Sequence, residues 1–155
     1  MGMDIEPDGQ EVNEKIEAFI IELGLPFEEV QDGMWLIHDE IDYIDNIVVY
    51  HNPPVLTFRV KLAEAPKDEE QPELYRRLLE LNATSMVAGA YGLEDDAVVI
   101  VESLQSDRLT QNEFQAAIDT ITLAVREHYH DLKSLIRTKA DEESTPEPVE
   151  AADRA

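Results

Sequence analysis

The sequence predicts an α+β domain: an antiparallel five-stranded sheet with helices, in the order α-β-β-β-α-β-β-α. Three observations carry this expectation. Leu56, Phe58, Val60 and Leu62 alternate with Thr57, Arg59 and Lys61, the period of a strand with one buried and one wet face. Leu74, Leu78 and Leu81 recur at helical spacing up to Asn82 and lead into two apolar runs around the acidic turn Glu94-Asp95-Asp96, a helix feeding a hairpin. Helical periodicity also marks the first and last long apolar-patterned stretches.

In chain order, residues 1–10 read as a flexible lead-in containing Pro7, Asp8 and Gly9. Val12, Ile16, Phe19, Ile20 and Leu23 then form the stripe of a first helix, stopped by Gly24 and Pro26. Met34-Trp35-Leu36-Ile37 makes a strand of residues 33–38, and an acidic connection with Asp39, Glu40, Asp42 and Asp45 follows. Residues 47–51 are a second strand, Asn52-Pro53-Pro54 a turn, and residues 55–62 the alternating third strand. A polar stretch, residues 63–72, links to the central helix. The fourth strand, residues 86–93, holds Ala88, Gly89, Ala90 and Gly92, whose missing bulk leaves room for a close neighbour. The fifth, residues 97–104, places Val98, Val99, Ile100 and Val101 in a row, so both its faces are apolar. From Thr110, with Glu113 completing a capping box, the last helix carries Phe114, Ile118, Ile121, Val125, Leu132 and Leu135. Residues 137–155 have the composition of a disordered acidic tail. The foldable part is a single domain, residues 11–136.

The run Leu74-Tyr75-Arg76-Arg77-Leu78-Leu79 through Leu81-Asn82-Ala83, the small-residue strand, the strand from Val98 to Val101 and the long final helix resemble the YbjN domain family. More distantly, they resemble the small acidic chaperones of type III secretion, of the Tir-chaperone type. The resemblance covers residues 11–136 and implies the same order of elements. It carries no catalytic motif. It implies a non-enzymatic protein-interaction module that holds an extended segment of a client protein on a homodimer. The alternative it implies is a regulatory module sensing a small ligand, as the YbjN label of sensory transduction regulator suggests.

Composition excludes several classes. Twelve basic residues against 35 acidic ones give a formal net charge of -23, a field that repels phosphate backbones and anionic lipid alike, so neither nucleic acid nor membrane is an expected partner. The charge fits solubility or adaptation to a salty cytoplasm, and it also attracts basic partners. With no cysteine, disulfides, thiolate metal sites and thiol nucleophiles are impossible. No signal peptide or bilayer-length apolar run is visible, and a cytoplasmic location is expected.

No constellation points to a cofactor, metal or catalytic centre. His128 and His130 lie two apart on a helix and diverge, while His38 and His51 fall on neighbouring strands. The acidic residues 39–45 lack the glycine and glutamate spacing of a calcium loop. Ser85, Ser103, Ser106, Ser134 and Ser144 all lack the Gly-x-Ser-x-Gly setting. Arg76 and Arg77 pair with Glu73 and Glu80 along the helix.

The expected working surface is a face or edge of the sheet. Val98 and Ile100 share a phase with Glu102, which places them away from the helices, where a second copy or a client strand would cover them. Tyr91 and Tyr50 are expected to rim that contact. The competing arrangement puts Val98 and Ile100 in the core and Val99 and Val101 under a helix.

Overall fold

The computed structural model describes residues 9–39 and 46–138. Their elements are α1 (Gly9–Leu23), β1 (Phe27–Gln31), β2 (Met34–Ile37), β3 (Ile47–Asn52), β4 (Val55–Glu64), α2 (Pro72–Thr84), β5 (Ala90–Glu94), β6 (Ala97–Gln105) and α3 (Gln111–Leu135). The strands form one antiparallel sheet of six, in the order β1-β2-β3-β4-β6-β5.

The sheet therefore has six strands where five were expected. The additional one is β1, Phe-Glu-Glu-Val-Gln, which pairs with β2 across the turn Asp32-Gly33. It is an edge strand with only Phe27 half-buried, and a register shift between Glu29 and Gln31 breaks its alternation, so no period of two marks it. Its one local signal is Asp-Gly, the pair that suits a tight hairpin; Gly33 has φ 77°. The fourth expected strand is also shorter, because residues 86–89 lead in to β5 rather than pairing. Gly89 lies so close to β6 that a Cβ there would stand 3.0 Å from the Val101 carbonyl oxygen.

One core lies between the sheet and the helices. β4 contributes Leu56, Phe58, Val60 and Leu62; β2 and β3 contribute Trp35, Ile37, Ile47 and Val49; the helices bring Val12, Ile16, Ile20, Leu74, Leu78, Leu81, Phe114, Ile118, Ile121 and Val125. Phe114 of α3 packs edge-on against Phe58 with ring centroids 5.2 Å apart, which identifies the face of β4 that looks at the helices. The cap of α3 forms as its residues dictate: the Thr110 hydroxyl accepts from Glu113 N–H, and the Glu113 carboxylate accepts from Thr110 N–H.

The start of α2 is held differently. Gln71, at its N-cap, spends its side-chain amide on the segment after α3: Nε2 donates to the Arg137 carbonyl and Oε1 accepts from Arg137 N–H, both at 2.7 Å. Gln71 is buried. Arg137, expected in the disordered tail, is thus bonded to the domain, and a cut after Ile136 would strand both polar atoms of Gln71, while residues 139–155 of that expected tail lie outside the described residues.

Candidate partner-binding surface

Strand pairing fixes which side chains share a face. Val60 stands opposite Ile100, and Ile100 opposite Tyr91, so these join Phe58 on the helix side; Val98 follows in the same phase. Val98 and Ile100 have 0% exposure and sit in the core. Their facing is thus the reverse of the expected one. The misleading residue is Glu102, which shares their phase yet stands across from Phe58, half-buried, with its carboxylate accepting from Ser103 N–H. Its charge does not mark a wet face.

Tyr91 is buried as well. Its hydroxyl meets His128 Nδ1 of α3 at 2.7 Å, and burial, with Glu127 adding to it, pushes the phenol pKa up. Tyr50 alone among the four expected contact residues is exposed, at 37%, on the face away from the helices. That open face also carries Met34, Leu36 and Val48, each half-buried, together with Thr57, Arg59 and Val101. Val99 points the same way but is covered, and not by a helix: Arg59 of β4 pairs with Glu94 of β5 across the intervening β6, diagonally over Val99. The row of four apolar residues in β6 is thereby buried on one face by helices and on the other in part by an ion pair.

The two sheet edges differ. At β5, the Asn82 side chain on α2 bonds the outer main chain: Oδ1 accepts from Tyr91 N–H at 2.8 Å and Nδ2 donates to the Tyr91 carbonyl at 3.0 Å. At β1, His38 N–H bonds the Pro26 carbonyl. By the alternation of an antiparallel ladder, Glu28 faces inward to Leu36, and Phe27 and Glu29 turn their N–H and C=O groups outward. Among the described residues no strand pairs with that edge. It is acidic, with Glu28, Glu29 and Asp32, and Val30 is exposed beside them.

The histidines are structural in their surroundings. His51 links three segments: Nδ1 lies 2.6 Å from Asn13 Oδ1 of α1, and Nε2 lies 2.8 Å from Ser106 Oγ at the end of β6. Because Asn Oδ1 only accepts, Nδ1–H donates and Nε2 accepts from the Ser106 hydroxyl. Burial pushes the pKa of His51 down, as it does for His128, where Arg77 adds to the effect against Glu127 and Asp131. His38 lies just past the far end of β2 from His51, and His130 is exposed. Among the described residues no group of three or more His, Cys, Asp or Glu could hold a metal ion, and no helix is long and apolar enough to cross a membrane. Most of the acidic stretch 39–45 lies outside the described residues.

An antiparallel sheet with helices packed on one face is similar to the fold of the secretion chaperones. The chain matches the CesT_Tir_1 family model over residues 9–138, and it belongs to that family. No curated protein matches it in sequence. Among solved structures, a chain of the heterodimeric ExoU–SpcU complex from the type III secretion system of Pseudomonas aeruginosa is similar over 79% of this chain and 98% of its own, at 16% identity and a TM-score of 0.58. YbjN from E. coli, which carries the provisional label of transcription regulator, is similar over 86% of this chain and 98% of its own, at 16% identity and a TM-score of 0.59. A chain of the HopA1–SchA chaperone–effector complex is similar over 78% and 96%, at 15% identity and a TM-score of 0.56. These likenesses are of fold.

Proposed function

We propose that the chain is a chaperone-like adaptor, without a reaction of its own, that holds an extended basic segment of a protein partner as an added strand on β1. The outward N–H and C=O groups of Phe27 and Glu29, flanked by Glu28 and Asp32, carry the proposal: backbone pairing supplies affinity, and the carboxylates select lysine and arginine. Exposed Tyr50 and the half-buried Met34 and Leu36 continue the surface inward from that edge. The ExoU–SpcU and HopA1–SchA complexes, in which chains of this fold meet protein partners, support the reading. Glu29→Pro removes one outward N–H at a position where an edge strand tolerates proline. The expected result is an unchanged melting temperature and loss of the partner that copurifies with the wild type from the native host, whose binding shields amides 27–31 from exchange. A partner retained by Glu29→Pro, with shielding only elsewhere, refutes the edge.

The adaptor works as a homodimer in this proposal, with the second copy on the outer stripe of α2. Leu79 is 70% exposed there and Tyr75 lies one turn away, an apolar cost that a second copy removes. Arg76 and Glu80, paired with each other at 3.6 Å along one side of the stripe, give that side both signs of charge, which suits a self-complementary contact. Leu79→Asp is expected to turn a dimer into a monomer in light scattering at roughly tens of micromolar, the range where a useful interface holds. A wild type that is already monomeric there ends the dimer proposal.

The second reading, a ligand-sensing regulator, draws on the label of YbjN and on a cavity of about 420 Å³ lined by Val12, His51, Pro53, Pro54, Ser106 and Asp107. A metabolite that raises the melting temperature, with no stoichiometric protein partner recovered, would favour it.

A further inference from the structure

We infer that Asn82 closes the β5 edge of the sheet to strand addition and so confines a partner strand to β1. A free edge strand exposes alternate N–H and C=O groups that template pairing with another chain. In β5 those groups belong to Tyr91 and, two residues on, to Leu93, since Tyr91 bonds outward to Asn82. The carboxamide of Asn82 is a donor and an acceptor on one planar group, so it satisfies Tyr91 N–H and C=O together, as the main chain of a neighbouring strand would. Gln71 does the same to Arg137 at the other end of α2, with both bonds at 2.7 Å. The helix thus carries a strand-mimicking amide at its start and another in its last turn. Only the one at Asn82 meets the edge of the sheet.

Position favours this role over simple anchoring. Exposed apolar side chains surround the β5 edge, with Val87 at 92% and Leu93 at 47% exposure, the composition that makes an open edge prone to self-pairing. The β1 edge has carboxylates instead, which deter a second copy of this acidic chain and admit a basic one. The inference rests on the proposed reading only in naming β1 as the docking edge; the closing of β5 is tested without any partner.

The test uses the full chain with Asn82→Ala and, as an isosteric variant that loses only the donor and sets a carboxylate against the Tyr91 carbonyl, Asn82→Asp. The expected results are faster exchange of the Tyr91 amide in Asn82→Ala, by about tenfold or more as its bond is lost, and concentration-dependent species larger than the wild-type protein in sedimentation. Adding Leu93→Pro, which blocks the outward N–H of the same edge, is expected to restore the wild-type size. A variant whose Tyr91 amide is freed but which keeps the wild-type size at every concentration overturns the inference. So do assemblies that persist with Leu93→Pro, or failure of both Asn82 variants to fold, which would make Asn82 an anchor only. A partner that binds elsewhere than β1, with these outcomes intact, would refute the docking edge and leave the role of Asn82 standing.

Discussion

Ile100→Asp is expected to leave the protein without a cooperative thermal transition, whereas Tyr50→Asp melts within a few degrees of the wild type. Ile100 is fully buried between Val60 and Tyr91, on the face covered by the helices. Removing a buried isoleucine side chain alone costs about 2–5 kcal/mol through lost transfer energy and the cavity left behind. The introduced carboxyl adds the cost of a polar group without a designed partner, about 1–3 kcal/mol even when it takes up a proton. Together these approach the whole stability of an ordinary domain, about 5–15 kcal/mol. Val98→Asp should behave alike, since Val98 is equally buried. Circular dichroism melts of the three variants decide the matter: an Ile100→Asp protein that unfolds cooperatively near the wild-type temperature would mean that β6 presents the opposite face to the helices.

That reversal shows where the sequence was legible. The phase of β4 could be read because its two faces differ in kind, Leu56, Phe58, Val60 and Leu62 against Thr57, Arg59 and Lys61. In β6 both faces are apolar from Val98 to Val101, so only Glu102 offers a phase, and a half-buried glutamate beside the core is no sign of solvent. The helices were legible for local reasons: stripes four apart and the Thr110–Glu113 box. β1 was not, because its adjacent Glu28 and Glu29 and its irregular register break the alternation. Of the four expected contact residues, only Tyr50 is exposed. The two edges were not legible, since what closes β5 is a side chain on α2, nine residues from its partner, and nothing in a one-dimensional pattern says where an asparagine amide will turn.

The Asn13–His51–Ser106 chain was equally out of reach, its links spanning 38 and 55 residues of sequence. It is the polar tie between α1, β3 and the end of β6, and its loss is expected to be costly. His51→Ala strands the buried Ser106 hydroxyl, a loss of about 1–3 kcal/mol, and leaves the part-buried Asn13 carbonyl oxygen to water, and should lower the midpoint of urea unfolding accordingly. The same residue sets a pH dependence. Burial lowers the pKa of His51 and of His128 below the ordinary 6.5, so the unfolded chain binds protons more readily than the folded one. Stability is therefore full above about pH 6.5 and is lost as pH falls below it, by at most about 1.4 kcal/mol per pH unit for each histidine. Urea midpoints at pH 7.5 and 5.5 should fall for the wild type, fall less for His51→Gln and for His128→Gln, and be nearly level for the double variant. A wild-type midpoint that holds steady or rises between those two values would show that the buried histidines take up protons as easily in the fold as outside it.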